Sequence, residues 1–221
     1  MTEAYPFVMF MALVALFSPL AALSAFMQVV GHFTRGDQRR LAAGLFVNVA
    51  IFVLAAVWLG EPLLRLLGVS TAALTVTGGI AILLAGVPMM QGAGEVAPEQ
   101  AAAVKETEGR ESGQGWQSIM FTPVTFPLTI GGTSFGMIVA FSSNAEGVAD
   151  QIGYTLAGIG YGAVAALTLI AAGHVHRRVS ARARMILARI AGILLTAIGV
   201  TLLADGGTRL VVATLASLRG A

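Results

Sequence analysis

The sequence predicts an all-α integral membrane protein with six transmembrane helices, arranged as two inverted three-helix repeats whose first and fourth helices are discontinuous. Of its 221 residues, 57% are hydrophobic and 11% are charged, whereas about a quarter of the residues in soluble domains carry charge. Two copies of one motif, FSPL at residues 17–20 and FTPV at 121–124, lie at matching places in the two halves of the chain. These observations favour a membrane protein with an internal repeat.

Six apolar stretches are long enough to span a bilayer, since about 20 helical residues cross roughly 30 Å of hydrocarbon. We predict spans at residues 6–30, 41–59, 67–90, 116–141, 153–172 and 185–204. The first stretch lacks the preceding basic residues of a signal peptide. We therefore expect it to be retained as a span.

Arginine and lysine residues between the spans predict the orientation, because cytoplasmic loops are enriched in them. The segments 31–40, 91–115 and 173–184 lie on one side and carry Arg35, Arg39, Arg40, Lys105, Arg110, Arg177, Arg178, Arg182 and Arg184. The opposite side has only Arg65, Arg209 and Arg219. The pattern places both termini in the periplasm. We interpret the net charge of +2 as a topology signal, with no nucleic-acid partner.

Three crossings on each side of the segment 91–115 predict that the second half is inverted relative to the first. We divide the chain into a first repeat at 1–90, a flexible cytoplasmic linker at 91–115 and a second repeat at 116–221. The linker is rich in glycine, alanine and glutamate, which is typical of a tether. A short surface helix is the alternative.

The first motif predicts a helix that stops and restarts inside the membrane. Ser18 directly precedes Pro19, and a hydroxyl residue before proline is typical of a helix start. Twelve residues separate Pro6 from Ser18, so at about 1.5 Å per residue the break lies about 18 Å deep, near mid-bilayer. The restarted helix would direct its N–H groups toward a carboxylate. Leu20 and Ser24 follow on that helix.

The second motif predicts a similar break in the fourth span, with a helix that restarts around Pro123 to Pro127. Two prolines and a glycine pair make a continuous helix there costly. The candidate substrate-binding residues of this span are Thr122, Pro123, Thr125, Pro127, Gly131, Gly132, Thr133 and Ser134. The alternative for either span alone is a simple proline kink.

Few other polar residues lie within the spans. Asn48 either lines the solute pathway or forms an interhelical hydrogen bond. Gly78, Gly79, Gly192 and Gly199 are spaced for close helix packing, although the first two could also border the site. The spans contain almost no carboxylate, which is the usual proton relay within a membrane. We leave open a coupling sodium or proton. We expect no cofactor. The spacing of His174 and His176 does not favour a metal site, and the chain has no cysteine.

The two broken spans resemble those of the MarC-related family of bacterial inner-membrane proteins, which includes small neutral amino acid transporters of the SnatA type. In that family the first span reads N-P-L-G-N-x-P and the fourth P-L-A-x-P-L-L-A-G-P-G. Here the corresponding residues are SPLAALS at 18–24 and PVTFPLTIGGT at 123–133. The asparagines of the family pattern are replaced by Ser18 and Ala22. The resemblance extends through 60–92 and the last span.

The resemblance implies a secondary transporter that moves a small neutral amino acid or a similar zwitterion across the bacterial inner membrane by alternating access. We expect no enzymatic activity. The alternative is a channel or a regulatory membrane subunit without a transported substrate. A thiol oxidoreductase conduit with proline-cysteine pairs at such breaks is excluded, because Leu20 and Val124 occupy the cysteine positions.

Overall fold

The structure is a computed structural model, and it describes residues 5–30, 33–93, 101–102, 116–175 and 180–219. Within these ranges the chain is helical and forms no strand. The helices are α1 Tyr5–Phe17, α2 Pro19–Val30, α3 Arg35–Leu66, α4 Thr71–Gln91, α5 Trp116–Ile119, α6 Gly132–Ser142, α7 Val148–Val175 and α8 Ala181–Arg219. A π-helical segment, Met120–Thr125, follows α5 directly.

Four of the described helices, α3, α4, α7 and α8, are long and apolar enough to cross a membrane. The pair α1 and α2 makes a fifth candidate span, bent by 42° at the break between them. The predicted fourth span is not a continuous helix, and its longest regular part is α6, with 11 residues. The described chain therefore has four continuous candidate spans and two broken segments.

The helices that contain the second and sixth predicted spans, α3 and α8, are longer than those spans. α3 has 32 residues and α8 has 39, because hydropathy identifies the part of a helix within lipid and not the helix ends. Those ends are set by polar caps. Thr34 accepts a hydrogen bond from the Asp37 N–H at 3.2 Å, and Ser180 accepts one from the Ala183 N–H at 3.2 Å.

α4 begins four residues later than predicted because Ser70 caps it, accepting a hydrogen bond from the Ala73 N–H at 3.1 Å. It ends at Gly92, whose φ of +78° is left-handed. The N–H groups of Gly92 and Ala93 donate to Met89 and Pro88, which is the usual glycine-terminated helix end. Of the predicted linker, only residues 91–93 and 101–102 lie within the described residues, so neither of its alternatives is tested.

α4 and α8 pack closely along a seam of glycines, as their spacing predicted. A Cβ atom on Gly79 would lie 2.9 Å from the Gly199 carbonyl oxygen, and one on Gly199 would lie 3.0 Å from that of Gly79. Further along, a Cβ on Gly192 would lie 2.8 Å from the Gly86 carbonyl oxygen. The helices run antiparallel, with their backbones in contact.

α7 packs against α1 and α3. Val53 lies against Gly158 and Val49 against Gly162, so α3 and α7 are antiparallel. On the other face of α7, Pro6 lies against Gly153 and Phe10 against Gly160. α1 and α7 are therefore parallel.

Contacts at one end of the molecule show that successive spans alternate in direction. The start of α1 meets the start of α7 there, and Trp58 near the end of α3 donates a hydrogen bond to Thr155 in α7 at 3.1 Å. Gly206 of α8 packs against Ala72 at the start of α4. Arg209 of α8 donates to Asn144, just beyond α6, at 2.7 Å. Successive segments, including the broken fourth segment, thus alternate in direction within the bundle.

Candidate functional site

The first break lies at Ser18, where the motif predicted it. Ser18 is 6% exposed and has a left-handed φ of +47°, although its N–H still donates to Val14 at 3.0 Å. A residue before proline is disfavoured in the helical region, and the left-handed region costs an L-residue roughly 1–2 kcal/mol. The surrounding packing therefore holds this conformation in place.

Much of the first turn of α2 is already hydrogen-bonded. Pro19 has no N–H, and the amides of Ala21 and Ala22 both donate to the Ser18 carbonyl at 2.9 Å. Leu20 therefore supplies the remaining N–H of the turn. The Ser18 hydroxyl makes no hydrogen bond within the described part of the chain. The side chain of Ser24 lies outside that part.

The fourth segment leaves helical geometry twice. Thr122 has φ −120° and ψ 121°, so the residue before Pro123 is extended, as the second motif predicts. Phe126 is extended as well, and the peptide bond to Pro127 is cis. The side chain of Pro123 is outside the described residues.

Buried threonines satisfy the irregular backbone between these two points. The Thr125 hydroxyl donates to the Met120 carbonyl at 2.8 Å, and the Thr129 hydroxyl donates to the Val124 carbonyl at 2.8 Å. Both side chains are 0% exposed. Non-helical backbone at membrane depth is tolerated where protein buries it, and here the protein's own hydroxyls serve that purpose.

The regular helix of the fourth segment begins at Gly132 and not in the predicted region 123–127. Gly131 is buried and extended, and no side chain caps the helix. The amides of Gly132 and Ser134 make no hydrogen bond within the described part of the chain. Ser134 is 5% exposed, and its hydroxyl is likewise unpaired there. Two amides and one hydroxyl at this helix start thus have no hydrogen-bond partner within the described residues.

Tyr161 of α7 connects the two breaks, and no sequence pattern predicted this role. Its side chain is 0% exposed, and its ring meets the Phe17 ring edge-on with centroids 5.8 Å apart. Its hydroxyl donates to the Thr129 carbonyl. A buried tyrosine hydroxyl usually has a hydrogen-bond partner. A tyrosine in the middle of the fifth span was therefore the feature of the sequence that could have indicated such a contact. Phe17 precedes the first break and Thr129 lies within the second, so both breaks face the same interior.

Asn48 forms an interhelical hydrogen bond, the second of its two predicted roles. Its Nδ2 atom donates to the Thr125 hydroxyl oxygen at 3.1 Å. The bond joins α3 to the irregular part of the fourth segment. The Asn48 side chain is half-buried.

The remaining candidates differ in exposure. Pro19, Leu20, Pro127 and Thr133 are half-buried, and Gly132 is exposed. Among the described residues, no group of three or more histidine, aspartate and glutamate side chains could hold a metal ion. The side chains of His174 and His176 are not among those residues.

The sequence matches a known family over nearly the whole chain. Residues 4–211 match the family described as MarC family integral membrane protein. This chain belongs to the MarC family. It is thus an integral membrane protein, and several relatives in the family are named inner membrane proteins.

Individual relatives are distant but cover most of the chain. The UPF0056 membrane protein MJ1677 of Methanocaldococcus jannaschii is 25% identical over 89% of this chain and 93% of its own length. The UPF0056 inner membrane protein MarC of Escherichia coli strain SMS-3-5 is 24% identical over 88% of this chain and 90% of its own. No solved structure matches this chain.

Proposed function

We propose that this MarC family protein is a secondary transporter that moves small neutral amino acids or similar zwitterions across the inner membrane by alternating access. The observation that carries the proposal is the pair of helix restarts at Pro19 and Gly132, each preceded by a residue, Phe17 or Thr129, that contacts the buried Tyr161. Broken helices near a shared interior are a recurring feature of transporter binding sites. Each restart also has a largely buried serine, Ser18 or Ser134, whose hydroxyl makes no hydrogen bond within the described residues.

The packing supports two inverted three-helix repeats, and the basic residues between the spans support a periplasmic position of both termini. If spans one to three correspond to spans four to six, a twofold relation makes α3 equivalent to α7 and α4 to α8, and the contact within each of these antiparallel pairs is consistent with an axis between them. A twofold relation also requires that the contact between the first span and α7 be matched by a contact between the fourth segment and α3. Pro6 meets Gly153 in the first case, and Asn48 meets Thr125 in the second.

The substrate carboxylate would bind at the start of α6. The amides of Gly132 and Ser134, together with the Ser134 hydroxyl, offer donors at the positive end of the helix dipole. At the first break, Leu20 and Ser18 offer one amide and one hydroxyl. Large buried side chains, including those of Phe17 and Tyr161, lie between the breaks, so we expect space for a small solute only.

Uptake into liposomes tests the proposal directly. Purified protein is reconstituted and presented with labelled glycine, alanine and serine, with and without sodium or proton gradients. We expect saturable uptake, reduced at least about ten-fold in Ser134→Ala, since a hydrogen bond to a charged group contributes roughly 1.5–3 kcal/mol. Ser142→Ala is the matched control on α6, because the Ser142 hydroxyl donates only to Val139 of the same helix. Equal uptake by both variants would remove Ser134 from the site.

A regulatory membrane subunit is the second candidate, favoured by one observation. Asn48 and Tyr161, two polar groups deep in the protein, are both engaged in bonds that join helices. A subunit would show no ligand effect on stability, whereas a ligand that binds only the folded protein raises its melting temperature. A flat melting temperature across all proteinogenic amino acids, with no uptake, would favour the subunit.

A further inference from the structure

A groove of about 270 Å³ lies beside the first break, between α1 and α8. From the first span it is lined by Met11, Val14, Ala15, Ser18, Pro19 and Leu20. From α8 it is lined by Leu187, Ile190, Ala191 and Leu194. Ile190 is 57% exposed and Leu187 is 45% exposed, so the groove is open on the outer surface of the bundle.

The lining of the groove suits a hydrocarbon chain. Ser18 is the one polar residue among those that line it. An apolar cavity of about 150 Å³ is enough to hold benzene, so this groove has room for a longer apolar group. Since it opens between membrane-spanning helices, the molecules that surround it are lipids.

A basic residue lies on α8 one turn before the part of that helix that lines the groove. Arg184 precedes Leu187 by one turn and Ala191 by two turns of α8, so the three residues lie along the same side of the helix. Side chains on a helix lean toward its N-terminus, which directs the half-buried Arg184 away from the groove and toward the end of the span. A charged head group held there would leave its chain beside the apolar lining.

We propose that this groove binds an anionic phospholipid, with an acyl chain between α1 and α8 and the phosphate at Arg184. Basic residues between transmembrane helices, at the membrane interface, are a known type of site for anionic head groups. The bound chain would lie against Ser18, the residue at which the first span bends. The groove shares Ser18, Pro19 and Leu20 with the first break, but the proposal does not depend on which solute, if any, is transported.

Single-cysteine labelling tests the proposal, because the chain has no cysteine of its own. A bimane fluorophore is placed on Ile190→Cys, at the edge of the groove, or on Ile193→Cys, which is equally exposed at 56% but does not line it. Each labelled protein is placed in nanodiscs containing brominated phosphatidylglycerol or brominated phosphatidylcholine at the same mole fraction. We expect phosphatidylglycerol to quench the label at 190 more strongly, and the label at 193 to show no preference.

Two substitutions at Arg184 then identify the head-group contact. Arg184→Gln should weaken the preference for phosphatidylglycerol about five-fold, the typical effect of one arginine at an anionic membrane surface, and Arg184→Lys should retain it. Equal quenching at 190 by both lipids would show ordinary boundary lipid and overturn the proposal. A preference that persists unchanged in Arg184→Gln would overturn it as well. Arg184→Lys, which keeps the charge, separates loss of the site from loss of the fold.

Discussion

At the scale of single residues, buried hydroxyl groups hold the irregular fourth segment in place. Thr125 and Thr129 bond to carbonyls of their own segment, while Asn48 and Tyr161 reach it from other helices. Interhelical hydrogen bonds in membranes contribute only modestly, about 0.6 kcal/mol on average. Here, however, they pair groups that no helix satisfies, so their loss should cost more than that average.

Replacing Tyr161 by phenylalanine tests this. Tyr161→Phe keeps the ring against Phe17 but leaves the buried Thr129 carbonyl without its donor. We expect a loss of about 1–3 kcal/mol in unfolding free energy, measured by thermal or denaturant unfolding in detergent. The matched control is Tyr154→Phe on the same helix, since Tyr154 is 2% exposed and its hydroxyl makes no bond within the described residues. Equal losses in both variants would contradict the role given to the Tyr161 hydroxyl.

The left-handed conformation of Ser18 gives a prediction with a diagnostic sign. In a continuous helix, alanine is more stable than glycine by about 1 kcal/mol. At a positive φ the order reverses, because glycine carries no Cβ penalty. We therefore expect Ser18→Gly to melt at a higher temperature than Ser18→Ala. At the helical position Ala22, substitution by glycine should lower the melting temperature. If Ser18→Gly also melted at a lower temperature than Ser18→Ala, the helix would be unbroken at residue 18.

Residue-level features were predictable where they follow from local chemistry. The extended conformation of Thr122 follows from the proline after it. At Ser18 the motif predicted the break but not the left-handed φ. The contact between Tyr161 and Thr129 joins residues 32 positions apart, so it follows from how α7 packs on the fourth segment. No local pattern could specify that pairing.

At the scale of helices, hydropathy located the spans but not their ends. The start of α3 at Arg35 follows from the Thr34 cap, and the start of α6 at Gly132 follows a buried, extended Gly131. The predicted restart at 123–127 failed because the chain there forms a π-helical segment and a turn. Two prolines indicated a break, but they did not specify its conformation.

The seam between α4 and α8 depends on the absence of side chains, and this gives a prediction at the helix scale. A Cβ on Gly192 would lie 2.3 Å from the Met90 nitrogen, so Gly192→Ala must push the two helices apart. We expect a loss of about 1–3 kcal/mol, typical of overpacking. Gly207→Ala on the same helix meets nothing within 4 Å and should gain up to about 1 kcal/mol from helix propensity. If both variants unfold like the wild type, the helices are not in backbone contact.

At the scale of the whole molecule, the repeat organisation rests on how many times the chain crosses the membrane. Contacts between helices fix their relative directions, and these alternate along the chain. Contacts do not place the bilayer, and the fourth segment lacks a helix of full membrane length. A segment of this kind either crosses the membrane in two parts or returns to the side from which it entered. The inverted repeat requires the first case.

Labelling at two glycines separates these cases. Gly36 and Gly147 both have room for a side chain, and spans two, three and four lie between them. We expect an impermeant maleimide to label Gly147→Cys in intact cells and Gly36→Cys only after the membrane is permeabilised, since three crossings separate the sites and basic residues flank Gly36. Label on both from the outside, or on neither, would mean that the fourth segment does not cross. The opposite labelling pattern would keep the repeat but reverse the orientation, placing both termini in the cytoplasm.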